Sequence, residues 1–270
     1  MSASSRPTFR PSPASARARL AEVVDLPTPP LPEATATTWR TPGSAAAVCL
    51  GTAGAVRYAG ESLRESVVVF NGDVLTAIDL RAVLDLHRQR KAKATIVLTP
   101  VDNPTAYGLV ETDADQNIRR FLEKPKADEI TTNRINAGIY VLEPHTFDRI
   151  PDNVAWSVER SYFPSLIERG ETFVAYVYDG YWIDIGTAEK YTQVHRDIMD
   201  GRYHAAPFTA AGTRVTTCVA PSARIEAGAR IEGPCFIDAD VVVKAGARIG
   251  PYAVLGKHCH VDEQASVEHA

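Results

Sequence analysis

From Val219 to Val267 an aliphatic residue returns at every sixth position, as Val219, Ile225, Ile231, Ile237, Val243, Ile249, Leu255, Val261 and Val267. Four positions after each of the first eight stands a small or compact residue: Ala223, Ala229, Cys235, Val241, Ala247, Ala253, Cys259 and Ala265. A period of six held without a gap fits neither the 3.6-residue turn of a helix nor an ordinary alternating strand. It fits a parallel β-helix, in which each hexapeptide forms one flat side. The aliphatic side chain then points into a narrow core, and the small residue sits where the wall turns. This register also decides how His258-Cys259-His260 is read. Cys259 takes the small inward position, so the flanking histidines point elsewhere, and a packing or assembly role suits them better than a metal.

The rest of the chain divides in two. Residues 1–47 hold 8 of the 18 prolines, with much Ala, Ser and Thr, and Leu26 to Pro32 can continue neither a helix nor a central strand. This segment is expected to be disordered, with a short helix around Ala14 to Val24 as its one candidate element. Residues 48–205 read as α/β. Val67 to Phe70 is a β-branched run of the buried, parallel kind. A helical pattern follows from Asp79, its expected N-cap, with Leu80, Val83, Leu84 and His87 on one face. Thr95 to Leu98 is the next strand, which would close a right-handed βαβ unit. Beyond Tyr107 the spacing shortens. Gly108–Glu111 and Ile118–Glu123 flank a turn at Asp113–Asn117, and Asn136–Leu142 and Phe173–Tyr178 are further strands.

Seven short motifs stand in order along this region. They are Leu50-Gly-Thr-Ala-Gly-Ala55, Phe70-Asn-Gly-Asp73, Tyr107-Gly108, Phe121-Leu-Glu-Lys-Pro125, Asn136-Ala-Gly-Ile-Tyr140, Ser157-Val-Glu-Arg160 and Trp182-Ile-Asp-Ile-Gly-Thr187. In that order, and followed by the hexapeptide repeat, they resemble the sugar-1-phosphate nucleotidyltransferases. Within that family the chain looks most like mannose-1-phosphate guanylyltransferases with a C-terminal left-handed β-helix. The resemblance covers roughly residues 48–268. It implies an incomplete Rossmann-like nucleotidyltransferase domain at 48–205 and a left-handed parallel β-helix at 206–270.

The resemblance also implies a chemistry: a sugar-1-phosphate oxygen attacks the α-phosphorus of a nucleoside triphosphate, and pyrophosphate leaves. GTP and mannose-1-phosphate are the favoured pair; thymine with glucose uses similar motifs. Asp73 follows a buried strand, and ligands of open α/β sheets bind outside strand C-termini. With Asp184 it would hold Mg²⁺, a hard ion that prefers oxygen ligands and phosphate company. Asp73, Lys124 and Asp184 are therefore the expected catalytic residues, Lys124 as a point charge for phosphate. Glu123 would accept sugar hydroxyls, Asn136 belongs to the same site, and Gly108 and Gly138 would let backbone approach the sugar closely. Thr52, Ala53, Gly54 and Gly72 correspond to the part of the family that lies against the nucleotide.

One family feature is missing. The Gly-Gly-x-Gly-Thr-Arg loop that grips the triphosphate has no counterpart, since one glycine (Gly43) and no lysine precede Gly51. A frameshift or misplaced start before Val48 would account for this, with an intact N-terminus in another reading frame as its test. A non-catalytic subunit whose β-helix binds a catalytic homologue, or itself, is the second reading. A hexapeptide acyltransferase with a histidine base is the third, against which stands a repeat of fewer than three coils of about 18 residues. The net charge of −4 gives no reason to expect nucleic acid or an anionic membrane as partner. No run approaches the roughly 20 apolar residues of a membrane span. Four cysteines without CxxC spacing favour reduced thiols and a cytoplasmic setting.

Overall fold

The computed structural model describes residues 38–39, 48–60, 63–205 and 217–270. The disorder expected for 1–47 and the helix near Ala14 lie outside the described residues. The exception is Thr38–Trp39 (β1), a short strand within that segment that pairs antiparallel with Val48–Cys49 (β2). Among the described residues no helix is long and apolar enough to cross a membrane.

Helix α1 (Gly51–Gly60) follows directly and buries Ala53 and Val56 against the main core. Strand β3 (Val67–Phe70) leads into β4 (Val74–Thr76), then α2 (Leu80–Gln89) and β5 (Ala94–Pro100). Asp79 caps α2 as expected, accepting from the Arg81 amide at 2.9 Å. The hairpin β6 (Gly108–Thr112) and β7 (Ile118–Glu123) precedes the long strand β8 (Arg134–Leu142). The expected strand–helix–strand unit is present but split. β3 and β5 do run parallel, but β8 lies between them and pairs antiparallel with both. The parallel partner of β5 is instead β9 (Phe173–Val177). The six-stranded sheet thus runs β7-β6-β8-β5-β9, with β3 along the far half of β8. Valine-rich runs specify burial but not the partner, and a strand buried on both faces reads alike in either orientation.

Two clusters cover the sheet. On one face α1, the turn at 158–162 and α3 (Phe163–Glu168) enclose Ile96, Leu98, Tyr140 and Phe173. On the other, α2 lays Val83 over Val68, Val97 and Val141. β10 (Trp182–Asp184) forms a separate antiparallel ladder with β4, and α4 (Ala188–Met199) follows behind a Thr187 cap.

A buried polar knot ties α2 to this sheet. His87, only 2% exposed, shares hydrogen bonds with Thr95 Oγ1 at 2.8 Å and Glu143 Oε1 at 3.0 Å. Ser66 donates to the same carboxylate at 2.5 Å. Burial holds the His87 pKa below its ordinary 6.5, outweighing the pull of Glu143. Burial also raises that of Glu143, but its bonds from Ser66 and His87 prevail and leave it below 4.5. Both shifts act in one direction. Below about pH 6.5 the unfolded histidine takes up a proton that the native one resists, and the Glu143 contribution is lost as pH falls further through its native pKa. The urea midpoint is therefore expected to fall between pH 7.5 and 5. His87→Leu should cost about 1–3 kcal/mol at pH 7.5, by orphaning buried partners, and flatten the slope below pH 6.5. An unchanged slope in that variant would place the titrating group elsewhere.

The C-terminal region resolves into nine two-residue strands, β11 (Cys218–Val219) through β19 (Ser266–Val267), in three parallel three-stranded sheets. Partners lie 18 residues apart, as in Ile231↔Ile249↔Val267, so each turn of the coil visits all three walls. Ile237, Val243, Ile249, Cys235, Val241 and Ala247 are fully buried, the alternation the repeat foretold. Cys259 packs against this core, while His258 and His260 are exposed. Gly228, Asp240, Gly246, Tyr252, His258 and Gln264 have φ between 58° and 84°, each just before a small inward residue. A left-handed residue thus turns most of the corners. The coil meets the α/β region where Tyr252 Oη donates to Asp200 Oδ1 at 2.9 Å, beyond the end of α4.

Candidate active site

The site is built around a deformation of β8. Between the pairs Ile96↔Tyr140 and Leu98↔Asn136, β8 has three residues where β5 has one. Gly138 lies in this bulge at φ +74°, and a Cβ there would fall 2.7 Å from Asn71 Nδ2. Only glycine allows both the left-handed backbone and that approach. The bulge seats the loop after β3: the Asn71 amide donates to the Gly138 carbonyl at 2.8 Å. Asn136 Oδ1 accepts from the Gly138 amide at 2.9 Å, and its Nδ2 donates to buried Tyr140 Oη at 2.8 Å. Trp182 Nε1 donates to the Ala137 carbonyl at 2.9 Å and anchors β10 to the same place.

The backbones of two expected acidic residues meet on this platform. Asp184 pairs with Val74 across the β4–β10 ladder, and the Ile185 amide donates to the Asp73 carbonyl at 2.7 Å. Residues 111 apart in sequence therefore share one end of one ladder. Asp184 Oδ1 accepts from Tyr107 Oη at 3.0 Å and from Lys190 Nζ, which also donates to Tyr107 Oη at 2.8 Å. The Lys190 ammonium lies 5.3 Å from the Tyr107 ring centre, and the ring meets Trp182 edge-on at 5.8 Å. Burial raises the Tyr107 phenol pKa, and the bond from Lys190 opposes it.

Tyr107 leads into the rung Gly108↔Glu123, and the Lys124 amide donates to the Tyr107 carbonyl at 3.1 Å. Glu123 on this rung also lines a cavity of about 400 Å³. Its other walls are Gly51, Thr52, Ala155, Trp156, Ser157, Glu159 and Arg160. Residues 158–162 form a π-helical turn that presents Glu159 and Arg160. Burial raises the Glu123 pKa, and the nearby Glu159 charge adds to it. Trp156 Nε1 is buried without a hydrogen-bond partner.

Gly51 opens α1 at φ +64°, and a Cβ there would lie 2.8 Å from the Trp156 carbonyl oxygen. The start of α1 is stitched to this wall: the Ala53 amide donates to Trp156 O at 2.8 Å and the Val158 amide to Thr52 Oγ1 at 2.9 Å.

The structure thus brings Glu123 and Thr52 to one cavity, and Asp73 and Asp184 to the adjoining ladder. Asn136 and Gly138 shape the bulge between them. Lys124 is exposed beside Glu123, in the left-handed region at φ 51°. Gly72 is exposed in the loop before Asp73. Ala53 and Gly54 face the core and do not line the cavity. Sequence reasoning passed over Tyr107, Glu159, Arg160 and Lys190 as functional side chains. For Lys190 a signal existed: it sits in the first turn of α4, three residues past the Thr187 cap, where the helix dipole disfavours a cation.

The arrangement suits a phosphorylated sugar. Carboxylates in a cavity accept vicinal hydroxyls, and paired carboxylates beside it suit a hard cation with phosphate oxygens. Among the described residues no group of three or more His, Cys, Asp or Glu side chains could hold a metal. Asp73 and Asp184 are the two residues whose carboxylates would suffice for Mg²⁺, because that ion keeps water and takes the rest of its shell from substrate phosphates.

A nucleotidyl transferase family model matches residues 31–201. A mannose-1-phosphate guanylyltransferase of Mycobacterium tuberculosis is 39% identical over 75% of this chain and 54% of its own length. A UTP–glucose-1-phosphate uridylyltransferase of Synechocystis is 31% identical over 82% of this chain and 58% of its own. The chain therefore spans somewhat more than half the length of these relatives. HddC of Yersinia pseudotuberculosis, a solved structure, aligns with a TM-score of 0.46 at 28% identity, over 53% of this chain and 60% of that one.

Proposed function

Because this chain belongs to the sugar-1-phosphate nucleotidyltransferases, we propose that it joins a nucleoside triphosphate to a sugar-1-phosphate, releasing pyrophosphate. GTP and mannose-1-phosphate are the favoured pair, in keeping with the Mycobacterium relative. The uridylyltransferase relative makes UTP with glucose-1-phosphate the first pair to test against it. One observation carries the reading: the β4–β10 ladder sets Asp73 beside Asp184, next to the rung that bears Glu123.

In this reading Asp73 and Asp184 hold Mg²⁺, which when bound neutralises phosphate charge. Glu123 orients the sugar through its hydroxyls, with Asn136 holding the Gly138 bulge open beneath it. Gly108 and Gly138 leave room for the ring, and Lys124 meets its phosphate. Thr52, Ala53, Gly54 and Gly72 serve the nucleotide, Ala53 and Gly54 by shaping the start of α1 from beneath. An oxygen of the sugar-1-phosphate forms a bond to the α-phosphorus as the bond to pyrophosphate breaks. Such transfer depends on positioning and charge neutralisation, with no covalent help from the protein.

Residues 48–205 act as the nucleotidyltransferase domain in this account. The β-helix expected over 206–270, described from residue 217 onward, is read as left-handed and suited to association with a second copy or a homologous subunit. Its support is the 18-residue register of the three walls.

The test is pyrophosphate release by the full chain with Mg²⁺, each nucleoside triphosphate and each sugar-1-phosphate in turn. Release with GTP and mannose-1-phosphate above all other pairs is expected. Release only with another pair would overturn the specificity. No release from folded protein would overturn the catalytic reading and favour a non-catalytic subunit.

A further inference from the structure

Lys190 is the charged residue of the ladder cluster to which the reaction as proposed gives no part. Its ammonium donates to two acceptors, Asp184 Oδ1 and Tyr107 Oη, and it lies over the Tyr107 ring. The Lys190 and Asp184 side chains are only 32% and 25% exposed, so water screens the pair incompletely. The helix is an unfavourable place for this charge. In the first turn of α4 the backbone amides are the positive end of the dipole, and the anion that Lys190 pairs with lies outside the helix. Asp184, two residues before the Gly186-Thr187 turn, supplies it.

Resting on the two-carboxylate reading above, we propose that Lys190 is a resident counter-cation of Asp184 that competes with the divalent ion for this carboxylate. Without nucleotide, the ammonium neutralises Asp184 beside Asp73 and keeps the two strand ends from repelling one another. Tyr107 steers it, because its phenol oxygen accepts from Lys190 while its hydroxyl donates to the same Asp184 oxygen. A free divalent ion must then displace a cation already in contact with its ligand, so it binds weakly by itself. An ion arriving on a triphosphate brings further ligands of its own, and the released ammonium finds phosphate oxygens nearby. Lys190 is thus a positioning residue that favours loading of metal together with nucleotide over loading of metal alone.

The test uses the full chain and Mn²⁺ as the probe, with free Mn²⁺ counted by electron paramagnetic resonance in the absence of nucleotide. Lys190→Gln removes the charge at similar length and should tighten Mn²⁺ binding about tenfold over the unsubstituted chain, the scale of a partly screened ion pair. Lys190→Arg keeps the charge and should bind Mn²⁺ as weakly as the unsubstituted chain. The rise in melting temperature on adding Mn²⁺ should follow the same order, since at one concentration the tighter-bound ligand stabilises more. Should Lys190→Gln prove unstable, Lys190→Met serves in its place. Equal or weaker Mn²⁺ binding in the neutral variants, with binding still lost in Asp184→Asn, would overturn the role of Lys190 and leave the metal site standing. Binding indifferent to Asp184→Asn would overturn both.

Discussion

Asp184→Asn should lower the rate of pyrophosphate release about a thousandfold, with the fold intact. Asparagine keeps the size of the side chain, and the Asp184↔Val74 pairing and the Ile185-to-Asp73 bond use only backbone. The charge is what is lost. A metal acting on a phosphoryl oxygen is worth several kcal/mol in the transition state, and each 1.4 kcal/mol is about tenfold in rate. Losing one of two carboxylate ligands should remove most of that. Lys190 would at the same time lose its anionic partner, so phosphate could bind more tightly while turning over slowly. The expected pattern is a fall in kcat with little rise in KM for the nucleotide. The check is steady-state kinetics alongside circular dichroism. A rate within tenfold of the parent would mean that Asp184 serves only to hold Lys190 and Tyr107 in place.

Phe163→Ala should cost about 3–5 kcal/mol of stability, the range for truncating a large buried aromatic. Phe163 is fully buried, and its ring centre lies 5.1 Å from those of Tyr140 and Phe173, 5.4 Å from Phe121 and 5.8 Å from Tyr162. Four aromatic neighbours converge on it, and edge-on or offset pairs of this kind add about 0.5–1.5 kcal/mol each beyond burial. They come from β7, β8, β9 and the π-helical turn. Truncation would therefore loosen the strand that ends in Glu123 and the turn that carries Glu159 together. Urea denaturation gives the loss directly. A cost under 1 kcal/mol would show that the neighbouring rings close over the gap and that the cluster is not the keystone of this face.

The coil was legible almost entirely. Each hexapeptide repeats the same local demand, and nine repetitions of one inward position leave little freedom of register. The α/β region was legible in its elements and not in their pairing. Val67–Phe70 and Thr95–Leu98 announce themselves as strands, but the insertion of β8 between them depends on a segment some 40 residues further on. The bulge at Ala137–Ile139 leaves no trace in an apolar pattern, although Gly138 marks it. Of the candidate site, motif residues such as Asp73, Glu123 and Asp184 were named in advance, and the structure brings their backbones to one ladder and its neighbouring rung. Side chains that act through others escaped. Tyr107 and Lys190 matter because β10 folds back onto β4, and that fold-back is tertiary.

The left-handed corner that recurs through the coil gives the C-terminal region a grammar for insertions and deletions. Adding 18 residues leaves every side chain on its own wall and merely lengthens the coil by one strand spacing, about 4.8 Å. Adding six keeps aliphatic residues inside but turns everything downstream by one wall, so an insertion ahead of Tyr252 would swing its hydroxyl away from Asp200. Any length that is not a multiple of six throws the aliphatic row outward at once. A coil of this kind therefore changes length only in quanta of six residues, and the joint at Tyr252 further disfavours any change ahead of it, since even a whole turn carries that hydroxyl one strand spacing away from Asp200.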